Sequence, residues 1–163
     1  MKQSVLIIAL LFTFHCSNAQ TSYYKGEWTM VNKSDLFTGI FKIDGKSNGT
    51  TEAVLIWTYL ATDSTNQDML ELYKGKKGKS GIEYAEGKFT AATNDLYLEG
   101  KTLVDPDTIL GNDKYHLKLA ANGKIIYGST ETNGTNEGLL YAVKLDNASG
   151  EKEFLAAKAK IKK

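Results

Sequence analysis

Beyond Tyr23 the chain is a succession of short runs rich in Thr, Tyr, Ile, Leu and Val, separated at regular spacing by clusters of Gly, Asn and Asp. Such runs predict β-strands, here over 23–32, 36–44, 51–60, 81–91, 95–102, 114–121, 124–131 and 137–146. A single proline, Pro106, leaves few of them interrupted. With no long crossover, neighbouring strands pair antiparallel as a meander. About eight such strands must either close or expose long edges, and closure into an up-and-down barrel is the simplest answer. The expected fold class is all-β.

The turns set the register. Asn122-Gly123 is the strongest hairpin signal, because a type I′ turn needs positive φ at both central residues. With those two residues as the turn, Leu119 faces Ile126, Leu117 faces Gly128 and Tyr115 faces Thr130, while His116, Lys118 and Tyr127 point to the other side. The same construction around Thr93-Asn94 pairs Phe89 with Leu98 and Ala91 with Leu96, and sets Lys88 against Glu99 on a solvated outer face. Asn32-Lys33-Ser34-Asp35, Asp44-Gly45 with Asn48-Gly49, and the stretch from Asn133 to Gly138 supply the remaining tight connections.

Two stretches break the rhythm. The insertion 61–80 passes through Met69-Leu70-Glu71-Leu72-Tyr73 and ends in Lys74-Gly75-Lys76-Lys77-Gly78-Lys79. It predicts a short helix over 67–74, with an extra strand as the rival. The lysine run reads as a flexible solvated loop, with an acidic membrane surface or glycan as the alternative partner. The basic C-terminal tail 151–163 has acids first and lysines last, as a helix macrodipole favours, although Lys158-Ala159-Lys160-Ile161-Lys162 also alternates like a strand.

Residues 1–19 have the three parts of a cleavable signal peptide. Lys2 precedes an apolar run from Val5 to Phe14, and Ser17-Asn18-Ala19 places small residues three before and one before a cut ahead of Gln20. The run is shorter than the roughly 20 apolar residues a helix needs to span a bilayer. The expected organisation is therefore a signal peptide over 1–19, a β-barrel domain over 20–150 and the tail, in a protein exported to the periplasm or cell exterior. Lipidation of Cys16, giving an envelope lipoprotein, is the minor alternative; Phe14 and His15 argue against it, since that processing wants a small residue directly before the cysteine.

Removing 19 residues from a chain of 163 leaves 144, enough for one domain with a real core and without any cysteine. Such an exported domain relies on hydrophobic packing instead of disulfides, which suits a bacterial source. The Asn-x-Ser/Thr sites at Asn32, Asn48, Asn133 and Asn147 then read as turn residues. Those 144 residues carry 19 lysines against 19 acids, and the chain has no arginine. Charge near zero without the bidentate guanidinium argues against nucleic acid as a partner.

The residues that carry chemistry are sparse. His116 is the one histidine outside the signal peptide, too few for a triad or a zinc site, and the hairpin register points it outward beside Ser129. Glu83 and Glu86, three apart on a strand, project to opposite faces; the reading is structural, with Glu86 on the outer face and Glu83 near a strand end. Asp105, Asp107, Asn112 and Asp113 share one loop and are weak calcium candidates, but the spacing lacks the order of an EF-hand and Asp-Pro-Asp is ordinary turn chemistry. The expectation is no enzyme, no cofactor and no metal.

Gly26-Glu27-Trp28 stands at the start of the first predicted strand, and a Gly-x-Trp opening an eight-stranded meander soon after a signal peptide resembles the calycin group of lipocalins, avidins and fatty-acid-binding proteins. The resemblance implies a calycin-like barrel with Trp28 and Gly26 at one end, the indole packed as a plug against a basic side chain of the last strand, here Lys144. The avidin group's biotin contacts do not map onto this chain. Glu83-Tyr84-Ala85-Glu86-Gly87, Asp105-Pro106 and Asp113-Lys114-Tyr115-His116-Leu117 are similar to patterns in exported bacterial proteins, and no activity comes with that likeness.

Trp28, Trp57, Tyr59, Phe41, Phe89 and Tyr115 are the aromatics placed at or near the interior. An eight-stranded barrel is just wide enough to be filled by its own side chains or to hold one small ligand. The leading expectation is a non-catalytic barrel that binds a small, partly apolar molecule in its open end, lined by Trp57, Tyr59 and Tyr115. The alternative is a protein-interaction module, an inhibitor or envelope assembly factor, that uses the 61–80 insertion and the barrel surface.

Overall fold

In a computed structural model, which describes residues 20–31, 35–62, 65 and 67–161, the alternating runs form eight strands closed into a barrel. They are β1 (Gln20–Met30), β2 (Leu36–Gly45), β3 (Thr50–Ala61), β4 (Ser80–Thr90), β5 (Asp95–Val104), β6 (Lys114–Leu119), β7 (Ile125–Thr132) and β8 (Thr135–Lys144). Each pairs antiparallel with the next in sequence, and β1 closes against β8. The proposed signal peptide, with Cys16, lies outside the described residues. Among those described, no helix is long and apolar enough to cross a membrane.

The strand period of two decides what is inside. Trp28, Phe37, Phe41, Leu55, Trp57, Leu98, Tyr115, Leu117, Ile126 and Leu140 point inward and form the main core. The barrel has two unlike ends. The connections β1–β2, β3–β4, β5–β6 and β7–β8 lie at one, which also carries the short helix α1 (Gln67–Leu72); the hairpins β2–β3, β4–β5 and β6–β7 lie at the other.

The β6–β7 register is the one read from Asn122-Gly123: Leu119 opposes Ile126, Leu117 opposes Gly128 and Tyr115 opposes Thr130. Only Gly123 of the two takes a positive φ (66°), so the turn is wider than type I′ while its centre is unchanged. The β4–β5 register differs by two residues. Phe89 faces Leu96 and Lys88 faces Tyr97, because the chain turns through four residues, 91–94, and Asn94 alone takes the left-handed conformation (φ 55°). A shift of two keeps every side chain on its face. It does dissolve the Lys88–Glu99 pair; Glu99 instead binds Lys101, and Asp95 binds Lys118.

The tail is a helix, α2 (Asn147–Ala159), which begins four residues before the boundary read from the sequence. Asp146 caps it by accepting a hydrogen bond from the Ser149 backbone N–H (2.9 Å). Phe154 packs with Tyr23, Ile40, Ile56 and Ile82, which point outward from β1 to β4. The helix thus covers apolar side chains that a bare barrel would leave in water.

Candidate functional site

At the α1 end the inward residues do not fill the barrel. A cavity of about 130 Å³ remains, walled by Trp28, Phe37, Trp57 and Tyr73, with Ile109 and Leu110 from the β5–β6 loop across from them and Glu83 and Asp113 as its acidic groups. The walls hold one another in place. The Trp28 indole N–H donates to the Thr130 hydroxyl (2.8 Å), and the ring lies flat over Gly138, where a Cβ would come within 2.2 Å of it. Trp28 meets Phe37 edge-on at 5.5 Å, Phe37 meets Tyr59 at 5.3 Å, and Tyr59 stacks on Tyr73 at 4.4 Å with 14° between the rings.

Tyr73 reaches this position because of the segment that follows α1. Gly75 and Gly78 both take left-handed φ (71° and 79°), making two successive turns, and on the returning chain the Lys79 carbonyl accepts the Tyr59 backbone N–H (3.0 Å) while the Gly78 N–H donates to the Tyr59 carbonyl (2.8 Å). The lysine run is therefore folded back along β3. Lys79 pairs with Asp107 (3.3 Å), and Lys76 donates to the Thr108 carbonyl (3.0 Å).

Glu83 is the acid that departs from the sequence reading. It sits inside β4, 1% exposed, with Oε1 accepting the Asp113 backbone N–H (3.1 Å) and Oε2 accepting the Tyr115 hydroxyl. The room comes from β5: a Cβ on Gly100 would lie 2.0 Å from Oε1. Burial pushes the carboxyl up to about 8, against the opposing pull of the hydrogen bonds from Tyr115, the Asp113 backbone and Trp57. At neutral pH most molecules carry it protonated. Burial and the adjacent Glu83 together hold the Tyr115 phenol well above its ordinary range, so it stays neutral. The sequence did carry a signal for this: Glu83, Ala85 and Phe89 are separated by even steps, so the face assigned to Phe89 is also that of Glu83.

Of the ligand-lining candidates, Trp57 lines the cavity, Tyr59 lies behind Tyr73, and Tyr115 lies beyond Glu83, fully enclosed. Gly26-Glu27-Trp28 falls in the second half of β1, since the strand starts at Gln20. Gly26 sits against Ala142 and Trp28 opposes Leu140, but Lys144 opposes Tyr24, at the other end of the barrel. The indole–lysine contact of the plug is not formed, and Thr130 is the polar partner of Trp28 instead.

The three calcium candidates have separate engagements. Asp105 accepts the backbone N–H groups of Ile109 and Leu110 (both 2.6 Å), Asp107 pairs with Lys79, and Asp113 accepts the Thr132 hydroxyl. Among the described residues, no group of three or more His, Cys, Asp or Glu side chains is placed to hold a metal ion. His116 faces outward, 5.3 Å from the Tyr97 ring and 3.4 Å from Glu131. Glu86 is exposed, on the face opposite Glu83.

No family model matches the chain, and no curated protein matches it. Among solved structures it is similar to a redesigned β-barrel, mFAP0, bound to DFHBI, at 10% sequence identity and a TM-score of 0.50, over 74% of this chain and 94% of that one. At that identity the likeness shows the fold alone, a lipocalin-like closed barrel of eight antiparallel strands.

Proposed function

We propose that this is an exported, non-catalytic barrel protein that binds a small, partly apolar molecule in the cavity at the α1 end. The observation that carries the reading is an aromatic hollow that ends on a buried, largely protonated carboxyl group, Glu83. Such a pocket suits a flat or short apolar body with one hydrogen-bonding group, because its walls supply contact area and a few polar atoms fix orientation. The similar redesigned barrel was solved bound to DFHBI, which supports reading a hollow in this fold as a binding site. A non-catalytic role fits Glu83, whose two oxygens are engaged by Tyr115 and by the Asp113 backbone.

Native mass spectrometry of the protein purified from its own source tests this directly. A small molecule that co-purifies at one per chain, and is lost in Trp57→Ala, is the expected result. Ligand retained by Trp57→Ala with unchanged affinity would overturn the assignment to this cavity.

A second reading, a protein-interaction module, is favoured by the outer face of β7 and β8, where Tyr127, Leu139, Tyr141 and Val143 stand exposed beside one another, Leu139 and Tyr141 at 55% and 53%. Contiguous apolar surface of this kind marks contact sites. Affinity capture from the envelope or surface fraction separates the two: a stoichiometric protein partner lost in Tyr141→Lys supports the second reading, and a small molecule alone supports the first.

A further inference from the structure

The end of the barrel opposite α1 holds a second hollow, of about 310 Å³, with a different chemistry. Its apolar walls are Tyr24, Ile43, Phe89, Leu96, Leu119 and Ile126, and among the described residues its one ionic side chain is Lys144. Lys144 lies at the last position of β8, inward in register, opposite Tyr24. Among the described residues no acidic side chain lines the hollow. Asp44, the acid of neighbouring β2, points outward and is engaged by Lys42 (2.7 Å) and by the Thr21 hydroxyl (2.6 Å). Among the described residues Lys144 forms no ion pair.

A second observation is independent of the lysine. Thr51, inward on β3 and 2% exposed, lines the same hollow, and its hydroxyl has no hydrogen-bond partner among the described residues. A buried hydroxyl without a partner is costly, so such groups are ordinarily satisfied by protein, water or ligand. The hollow is large enough, with room for about ten waters or one small organic molecule.

We propose that this end of the barrel is a second binding site, separate from the cavity at the α1 end, for a small organic anion with an apolar body. The body lies on the aromatic and aliphatic walls, the anionic group pairs with the Lys144 ammonium, and Thr51 offers a hydrogen bond to a second polar atom. An apolar chamber with one cation and no acid discriminates by charge: a carboxylate gains an ion pair there, and its neutral alcohol gains only the apolar contact.

The test is a titration of the intact protein with phenylbutyrate and with phenylbutanol, followed by amide chemical shifts in NMR. Phenylbutyrate is expected to shift Leu96, Leu119 and Ile126 and to leave Trp57, Glu83 and Ile109 in place. Lys144→Gln should weaken phenylbutyrate by about tenfold or more and leave phenylbutanol unchanged, while Lys144→Arg retains the carboxylate. Lys144 is at a strand end, and the same spectra report whether each variant is folded. Shifts confined to the α1 end, equal affinity for acid and alcohol, or a Lys144→Gln variant that binds phenylbutyrate within twofold of the parent would each overturn the proposal. The α1-end reading is scored on different resonances, so either site can fail without the other.

Discussion

Glu83 shows how a single residue couples the core to pH. Its folded-state pKa of about 8 lies above the 4.5 of an ordinary glutamate, so the folded protein holds a proton that the unfolded chain releases. The stabilising contribution is complete below about pH 4.5 and is lost as pH rises toward 8, by up to roughly 5 kcal/mol for a shift of this size. Melting temperature is therefore expected to fall between pH 5 and 8, and Glu83→Gln, a neutral mimic of the acid form, should flatten that fall and be the more stable protein at pH 8. Thermal scans of both proteins across the range decide it; parallel curves would exclude Glu83 as the source. Gly100 answers the same carboxyl from across the sheet. Gly100→Ala places a methyl group 2.0 Å from Oε1, so Glu83 or β5 must move, with an expected loss of about 1–3 kcal/mol in chemical denaturation. That loss should shrink in the Glu83→Ala background, where the clash is gone.

Among the elements, α2 is the one whose role exceeds its appearance in sequence. Read alone, 151–163 is a basic tail of ambiguous periodicity; on the barrel it is the cover for Tyr23, Ile40, Ile56 and Ile82. Phe154→Ala should cost about 3–5 kcal/mol, the range for emptying a buried aromatic site, and Asp146→Ala about 1 kcal/mol through loss of the N-cap. Equal costs for the two in urea denaturation would refute the view that packing, and not helix propensity, holds α2. The hint of this cover is in the strands themselves. Ile40-Phe41 and Leu55-Ile56-Trp57 are apolar at both parities, which a barrel wall facing water on its outer side does not need. The β4–β5 hairpin was legible only as to face. Turn chemistry at Thr93-Asn94 pointed to a two-residue loop, whereas the pairing that seats Phe89 on Leu96 sets a four-residue one.

For the whole molecule, closure is the governing event. The β1–β8 seam joins Trp28 to Leu140, so the pairing that removes both sheet edges is also among the longest-range in the chain. Folding is accordingly expected on the scale of milliseconds to seconds, by stopped-flow fluorescence of Trp28 and Trp57, and microsecond folding would contradict a transition state that includes the seam. The sequence by itself determined the strand count, the antiparallel order, the β6–β7 register and the inward aromatics, because each follows from a two-residue period and from turn residues within a few positions of one another. The seating of Glu83 against Tyr115, the Asp113 backbone and Gly100, the replacement of Lys144 by Thr130 as the partner of Trp28, and the two hollows of unlike charge were decided by tertiary structure. Those depend on which strands meet across a closed barrel and how far each is offset, and no local window of sequence contains that distance.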